Sequence, residues 1–511
     1  MTDVTRSEAD APGAGRASGA PEAAEDGRRA PDWVILAIAC VAQFMVVLDV
    51  SIVNVALPSI GRDLHYSPTG LQWVVNAYVL TFAGFLLLGG RAADLFGRRR
   101  VYLFGLGLFT VASLVGGLAQ NSAWLTGARA VQGIGGAFLS PATLTIIVTT
   151  FTGAKLAKAL GAWSAVAGAG GAVGVLLGGI LTAELSWRWV LYVNVPIGIG
   201  VFVAAVLYLT EAVRPELRQK LDVAGAITVT AGLFCLVYAI VGTDVHAWTS
   251  PQTLGFLGAA VVLLGAFALI ETKLASHPLV PFRLFKSRAL TGANTVIFLV
   301  GAVFFSLWYF LSLYLQTVLH YGALKTGMAF LPMAIGIIIG AQLAGRRLAT
   351  SGPRPLLLVG MVIVTGGFFW LSNIGVDSDY WTHILPPGMM ISFGVGLVFA
   401  PLASAATAGV APTEAGLASA LLVTFRQVGG SLGLAVLATI ATDQTKSSLS
   451  SGLDAALASG YAKAFAVAAG LAAAAIACSF IVPARRRTAE APARQVEAPP
   501  AEGSVNPALE G

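Results

Sequence analysis

The chain has 511 residues, of which 56% are hydrophobic and only 11% are charged. Soluble domains carry about a quarter of charged residues, so this composition excludes an ordinary soluble protein and indicates one that lies in a membrane. The formal net charge of +6 is divided among many short segments, and it therefore gives no indication of nucleic-acid binding.

Long apolar runs follow one another from Trp33 to Val482. Each is about 20 residues long, the length that crosses a bilayer as a helix. The runs are too long and too rich in Leu, Ala and Gly for the alternating strands of a membrane barrel. We therefore predict an all-α polytopic membrane protein. In chain order its fourteen predicted spans are 33–58, 71–90, 101–120, 124–149, 159–183, 189–210, 223–242, 254–272, 289–315, 323–345, 355–374, 384–405, 416–442 and 461–483.

Positive charges lie mainly on one side of these spans. Of the 31 Lys and Arg residues, 24 fall in the two tails and in the loops on the same side as the tails, whereas five fall on the other side. Arg129 and Arg426 lie inside spans. Because cytoplasmic loops carry the excess of Lys and Arg, we predict that both termini are cytoplasmic and that the chain is a multi-pass protein of the inner (plasma) membrane.

One basic segment occurs twice. Gly90 to Arg100 recurs in degraded form 255 residues later, which aligns Gly90 with Gly345 and Gly97 with Gly352. A repeated unit of helix, basic turn and helix predicts two related helical bundles. Eight predicted spans separate the two copies, whereas two six-helix bundles would give six. Two spans are therefore predicted to be inserted between the bundles.

The domain organisation follows from this repeat. The tails are rich in Ala, Gly, Pro and Glu and are predicted to be disordered. The predicted order is a cytoplasmic N-terminal tail (1–32), an N-terminal six-helix bundle (33–210), a linker with two extra transmembrane helices (211–288, the helices at about 223–242 and 254–272), a C-terminal six-helix bundle (289–483) and a cytoplasmic C-terminal tail (484–511).

Several stretches resemble the motifs of one transporter family. Gly90 to Arg100 resembles the signature loop between the second and third helices of the major facilitator superfamily. Four further stretches are similar to motifs of one branch of that superfamily, the fourteen-span drug:proton antiporters. These stretches are Leu48 to Pro58, Arg129 to Gly136, Trp187 to Gly198 and Phe425 to Gly433. The resemblance runs from about residue 33 to 483 and implies the major facilitator fold, with two six-helix bundles plus two inserted helices.

The resemblance also implies a function. Such a chain would be a proton-coupled multidrug or antibiotic efflux transporter that exports small amphipathic or cationic compounds by alternating access. It would need no cofactor, because the proton gradient drives it. Its partners would be protons, the small-molecule substrate and the lipid bilayer, with no nucleic acid, and it would act as a monomer. A proton-coupled uptake permease of the same fold stays open as an alternative.

The fifth predicted helix departs from the family pattern. Its glycines fit the spacing of the antiporter motif, but Val175 occupies the position of the usual proline, which weakens the case for export over uptake. Three of the glycines share one helix face, so they could serve helix packing alone or the antiporter motif. The motif glycines are Gly161, Gly170, Gly174, Gly178 and Gly179.

Asp49 is the only one of the 25 acidic residues that lies well inside a span. An ionised carboxylate at that depth costs about 2.5–3.5 kcal/mol on insertion scales, so it needs a partner, a water-filled cavity or a proton. Arg129 is a candidate partner. The two residues could couple proton movement to transport, or they could form a fixed salt bridge that only holds helices together. Further residues that could face a cavity are Gln43, Asn54, Asn76, Tyr78, Gln132, Asn194, Arg426 and Gln427.

The repeated loop contains a lone aspartate among arginines. The resemblance implies that Asp94 meets the N-terminus of the second bundle's fifth helix, near Gly416, where a helix dipole favours an acid. That contact would act as a conformational latch. We assign the latch to Gly90, Asp94, Gly97, Arg98 and Arg99.

Catalysis has no candidate residues in this sequence. The five histidines are dispersed without the spacing of metal ligands, and neither a P-loop nor a nucleophile elbow is present. The three cysteines lie in separate apolar spans and predict no disulfide framework. We therefore predict that the chain is not an enzyme, and short loops argue against a receptor with a ligand-binding domain.

Overall fold

The computed structural model describes residues 31–210, 222–243, 246–275, 278–408, 410 and 415–484. Residues 1–30 and 485–511 of the two predicted tails, and 211–221 of the predicted linker, lie outside this part of the chain. The described residues form helices and short turns. The α-helices are α1 (Asp32–Asp63), α2 (Trp73–Phe96), α3 (Arg98–Gly117), α4 (Ser122–Thr150), α5 (Gly153–Glu184), α6 (Trp189–Tyr192), α7 (Asn194–Tyr208), α8 (Val223–Gly242), α9 (Pro251–Leu269), α10 (Arg288–Thr317), α11 (Ala323–Ser351), α12 (Pro353–Leu371), α13 (Leu385–Thr407), α14 (Ala415–Ser447) and α15 (Leu453–Ser479).

These helices agree with the predicted spans. Within the described residues, thirteen segments are long and apolar enough to cross a membrane, and α6 and α7 together make one of them, Trp189–Tyr208. The remaining predicted span lies in α5, a continuous helix of 32 residues. The all-α prediction and the fourteen-helix prediction are confirmed. The last span was placed too late, because α15 begins at Leu453 and not at residue 461. Its first turns contain Asp454 and Ser459 yet are rich in Ala and Leu, which are good helix formers.

The helices pack as two similar bundles. In the first bundle, α2 and α3 pack on α4, and α1 packs on α5. In the second, α11 and α12 pack on α13, and α10 packs on α14. The same neighbours therefore recur at the same positions in both halves, as expected for a repeat. This arrangement is the predicted pair of six-helix bundles.

Two glycines show the repeat at the level of the backbone. Gly97 lies between α2 and α3 with φ 96°, and Gly352 lies between α11 and α12 with φ 74°. Positive φ of this kind is readily adopted only by glycine. The aligned glycines of the two basic segments therefore make the same kind of sharp connection between two helices.

The bundles meet at the end of the helices that lies away from the loop at Gly97. Across the contact between α1 and α10, Ser312 Oγ donates to the Asn54 carbonyl oxygen at 2.8 Å, and Gln316 Nε2 donates to the Val55 carbonyl oxygen at 3.0 Å. Further contacts join α2 to α14 and α5 to α11. The described conformation is thus closed at this end.

The two inserted helices are not equivalent. α8 packs against both α2 and α14, where the rings of Trp73 and Phe234 stack at 5.5 Å and Thr439 Oγ1 donates to the Ile240 carbonyl oxygen. α9 packs on α8 and leaves large side chains such as Val261 exposed. α8 therefore covers the junction of the two bundles, and α9 covers α8.

Candidate functional site

A buried ion pair joins α1 to α4. Arg129 Nη1 lies 2.5 Å from Asp49 Oδ2, and the two side chains are only 2% and 0% exposed. Both residues come from long apolar helices that bury their central turns against each other and against α5. The sequence singled out Asp49 and Arg129 because ions are rare at such depth, and the structure brings them into direct contact.

Three further polar side chains surround the Asp49 carboxylate. Gln132 Nε2 donates to Asp49 Oδ1 at 2.8 Å, and Asn194 Nδ2 donates to the same oxygen at 3.0 Å. Both amides also lie within hydrogen-bond distance of Ser113 Oγ, at 3.2 and 3.1 Å. Ser113 in turn donates to the Leu191 carbonyl oxygen. Asp49 is therefore held by side chains from α4 and α7, with Ser113 of α3 behind them.

Arg129 also contacts α2 and a second residue of its own helix, α4. Its Nε donates to the Val74 carbonyl oxygen at 3.0 Å, and its Nη1 also donates to Gln132 Oε1. The guanidinium carbon lies 4.5 Å from the centre of the Tyr78 ring, a cation–π contact. The hydroxyl of Tyr78 is buried and has no hydrogen-bond partner in the described part of the protein.

The Asp49 carboxylate is well supplied with partners in this conformation. As long as Asp49 is ionised, its charge is balanced by Arg129 and its oxygens accept three side-chain hydrogen bonds. A buried ion pair is costly to desolvate and is tolerated only when its hydrogen bonds are complete. The Asp49–Arg129 pair meets this condition, because both side chains have further polar partners in addition to each other.

Other predicted cavity residues make separate contacts. Gln43 Oε1 accepts from Ser140 Oγ at 3.0 Å, and Asn54 Nδ2 donates to the carbonyl oxygen of Val50 in its own helix. None of the hydrogen bonds in the described residues connects either side chain to Asp49. Gln43 and Asn54 therefore link or brace helices in this conformation.

Asn76 lies at the junction of the bundles. Its Nδ2 donates to Gln72 Oε1 at 3.3 Å, and its Oδ1 accepts from Ser431 Oγ at 2.9 Å. Ser431 belongs to α14, so this bond crosses from one bundle to the other. Gln427, one turn earlier on α14, is buried, whereas its neighbour Arg426 is partly exposed.

The glycines of α5 lie against α1 beside Asp49. A Cβ atom at Gly174 would lie 2.8 Å from the Leu48 carbonyl oxygen, and one at Gly178 would lie 2.6 Å from that of Ile52. Gly170 likewise faces Phe44. Gly179 faces α11 in the other bundle, and the surroundings of Gly161 lie outside the described residues. α5 continues through Val175 without a break. These glycines therefore permit close approach of α5 to the helix that carries Asp49.

The loop residues are only partly described. Arg98 Nη1 donates to Thr149 Oγ1, and Arg99 Nη2 donates to the Val206 carbonyl oxygen at 2.8 Å. Gly90 packs loosely on Pro141. The side chain of Asp94 and the surroundings of Gly416 lie outside the described residues, and so does their predicted contact.

Ser113 is a site residue that the sequence did not indicate. A lone serine in an apolar helix usually donates to a carbonyl oxygen of its own helix, so it gives little signal of a site. The one signal in the sequence is that Ser113 is among the few polar residues in the otherwise apolar centre of α3. Only the packing of α3 beside α4 and α7 shows that Ser113 supports both amides that bind Asp49.

Comparison with known proteins identifies close relatives. The family model of the Major Facilitator Superfamily matches residues 39–434. The chain is 45% identical to the cephamycin export protein CmcT of Amycolatopsis lactamdurans, over 84% of this chain and 88% of that protein. It is 42% identical to the puromycin resistance protein pur8 of Streptomyces alboniger, over 81% and 82%, and 31% identical to the multidrug transporter protein MdtP of Bacillus subtilis, over 81% and 76%.

Solved structures share the fold at low identity. An inward-facing, unoccupied bacterial homologue of the human lysosomal transporter Spinster superposes with a TM-score of 0.62 at 17% identity, covering 88% of this chain and 96% of that one. A D-xylose–proton symporter superposes with a TM-score of 0.61 at 12% identity, covering 88% and 98%. These similarities extend across both bundles and concern the fold alone.

Proposed function

Because this chain belongs to the Major Facilitator Superfamily, we propose that it exports small amphipathic compounds, antibiotics among them, in exchange for protons. The chain is a membrane transporter and not an enzyme. The names of its relatives support export: they describe a cephamycin exporter, a puromycin resistance protein and a multidrug transporter. The observation that carries the proton coupling is the buried pair of Asp49 and Arg129.

Asp49 is proposed as the proton carrier. In the described conformation, which is closed at the end away from the Gly97 loop, the carboxylate is paired with Arg129. That is the state expected after the proton has left toward the open end. When the bundles rock to the opposite conformation, a proton from the other side would neutralise Asp49 and weaken the attraction to Arg129. The change in charge would then bias the next movement of the bundles.

The loop at Gly97 is proposed as a latch. Asp94 would meet the N-terminal end of α14, near Gly416, in one of the two conformations of the bundles and would stabilise that conformation. A charge–dipole contact of about 0.3–1 kcal/mol shifts a two-state equilibrium by a few-fold at most. The latch would therefore adjust turnover without contacting the substrate.

The remaining assignments follow from the same proposal. The units are a bundle at 33–210, a linker with two helices at 211–288 and a bundle at 289–483. Energy comes from the proton gradient, so no cofactor is required. With 24 of its Lys and Arg residues on one side, the chain would be oriented in the inner membrane with both termini in the cytoplasm. We further propose that it works as a monomer.

Transport in everted membrane vesicles tests this function. The host would lack its own efflux pumps, so that a drug-susceptibility panel first selects a compound to which the protein confers resistance. In everted vesicles an exporter moves that compound inward when the lumen is acidified, and a collapsed pH gradient abolishes the movement. An uptake permease would deplete the compound from the lumen instead. No gradient-dependent flux of any selected compound would contradict both functions.

A further inference from the structure

The position that matches Asp49 in the second bundle is aromatic. The offset of 255 residues that aligns Gly97 with Gly352 also aligns Asp49 with Phe304, and both lie in the first helix of their bundle. Arg129 and Asp49 give the first bundle a charged centre. The corresponding level of the second bundle is formed by rings, so the two bundles have different chemistry at the same depth.

A continuous line of rings begins at Phe304. Its ring lies 6.1 Å from that of Trp308 on the same helix and 6.1 Å from that of Phe399 on α13. The indole of Trp308 stacks on Phe330 at 4.8 Å. Trp308 Nε1 is buried without a hydrogen-bond partner in the described residues, although an indole N–H is normally satisfied when it is buried.

Arg426 ends this line of rings. Its guanidinium carbon lies 5.6 Å from the centre of the Phe399 ring. Among the described residues, no carboxylate forms a salt bridge with Arg426, and its Nε is buried without an acceptor. Arginine keeps its charge in proteins, and buried cations are normally paired. Arg129, the other arginine inside a span, is paired with Asp49.

Arg426 lies on a face of α14 that becomes more exposed toward the N-terminal end of the helix. Residues 419, 423, 426 and 430 follow one another at helical spacing and share one face. Ser419 is exposed, Val423 and Arg426 are half-buried, and Gly430 is buried against the ring of Phe305. Among the described helices, α14 packs on α10, α15, α2, α8 and α13. Arg426 therefore lies where this face of α14 passes from exposed to buried.

We propose that Arg426, with the rings of Phe304, Trp308 and Phe399, binds an aromatic compound that carries a carboxylate. The guanidinium would receive the carboxylate in a charge-assisted hydrogen bond, and the rings would receive the apolar part of the compound. Trp308 Nε1 would donate to a further acceptor on it. This inference rests on the proposed function and specifies the substrate class as anionic, in contrast to the cationic compounds that the resemblance implied.

Equilibrium binding of three dansyl probes tests the charge preference. Dansylglycine carries a carboxylate, its methyl ester is neutral, and dansylethylenediamine is cationic, so the three differ mainly in charge. Fluorescence of the purified protein in nanodiscs, without a proton gradient, gives each affinity. We expect the wild type to bind the acid at least about tenfold more tightly than the ester, because one charge-assisted hydrogen bond contributes enough free energy for an affinity ratio of that size.

Two substitutions separate recognition from structure. Arg426→Gln should remove the preference for the acid over the ester, while leaving the affinity for the ester within about twofold. Arg426→Lys keeps the charge and should retain part of the preference. Arg347→Gln is the matched control, because Arg347 is an exposed arginine of α11 and its loss should change neither affinity.

Each outcome has one meaning. A wild-type protein without a preference for the acid, or an Arg426→Gln protein that keeps it, overturns the inference. Loss of ester binding together with acid binding in Arg426→Gln would assign a structural role to this arginine and also overturn it. These measurements use no gradient, so they can fail while gradient-driven export of the selected drug persists, and they can succeed while it is absent.

Discussion

Asp49 and Arg129 form an ion pair that is sealed from solvent, with Nη1 of Arg129 2.5 Å from Oδ2 of Asp49. The pair lies between α1 and α4, and Gln132 and Asn194 complete the coordination of the carboxylate. The carboxylate therefore depends on α1, α4 and α7 for its position and its partners, and movement of any of these helices would break part of this network.

Asp49→Asn should abolish gradient-driven transport. The amide cannot ionise, so no proton can be exchanged at this position, although the volume is nearly unchanged. Drug flux in everted vesicles at several pH values measures the effect. Asp63→Asn is the control on the same helix, because Asp63 pairs with Arg188 at 2.7 Å in a partly exposed position. Wild-type flux in Asp49→Asn would show that protons do not couple through Asp49.

The stability of the same variants should reveal the pairing. Asp49→Asn leaves Arg129 buried without a counter-charge, which typically costs about 3–5 kcal/mol. Arg129→Gln leaves Asp49 with amide donors only. In Asp49→Asn/Arg129→Gln neither charge remains, so its loss of thermal stability should be smaller than the sum of the two single losses. Additive losses in thermal unfolding would mean that the two charges do not interact.

Ser113→Ala should reduce transport several-fold and stability by about 1 kcal/mol. The change removes the hydroxyl oxygen that accepts from both Gln132 and Asn194, so the two amides that bind Asp49 lose part of their orientation. Vesicle flux and thermal unfolding check both effects. In Ser51→Ala, the lost bond is one to a carbonyl oxygen of the same helix, and flux should stay near the wild-type value. Equal effects in the two variants would remove the special role of Ser113.

Ser312→Ala should shift the protein away from the described conformation. It removes a hydrogen bond between α10 and the Asn54 carbonyl oxygen, which should change the equilibrium by about two- to tenfold. Distances between spin labels at introduced cysteines 184 and 322, in a background without native cysteines, report opening at this end. Ser306→Ala is the control, because Ser306 bonds within α10 only. An unchanged distance distribution in Ser312→Ala would argue against this closure.

Gly174→Ala should separate α5 from α1. The new Cβ would lie 2.8 Å from the Leu48 carbonyl oxygen, and such overpacking costs about 1–3 kcal/mol. The shift would displace the neighbouring Asp49, so transport should fall together with thermal stability. Gly171→Ala is the matched control, since its Cβ would lie 3.8 Å from Ser51 Oγ, an ordinary contact. Equal stability of the two variants would contradict the close approach.

The sequence predicted most of the fold because membrane helices are specified by local composition. The bounds of α8 agree with the predicted span 223–242, and the offset of 255 residues predicted the turn at Gly352 from the one at Gly97. The predicted start of the last span, residue 461, lies later than the start of α15 at Leu453, because hydropathy records the apolar centre of a helix and not its hydrogen-bonded ends. Ends that leave the bilayer follow helix propensity and packing instead.

The site was less predictable than the fold. The rarity of buried charge pointed to Asp49 and Arg129, but no spacing in the sequence places residue 49 beside residue 129. Gln132 follows Arg129 by one helical turn, whereas Asn194 and Ser113 come from other helices and depend on three-dimensional packing. For the same reason, the sequence could not separate Gln43 and Asn54 from the residues that contact Asp49. In the structure these two side chains form hydrogen bonds with Ser140 and with the Val50 carbonyl oxygen instead.

The position of α8 has a consequence for the routes by which lipid-dissolved molecules can reach the interior. Two lateral junctions separate the bundles, one between α2 and α14 and the other between α5 and α11. α8 lies over the first, so a compound that diffuses in the bilayer meets an extra helix there. The junction between α5 and α11 has no such cover among the described helices, so the close packing of α5 on α11, with Gly179 against Ala323, is the barrier there. The two flanks therefore present different surfaces to the lipid, a covered junction on one side and a bare one on the other.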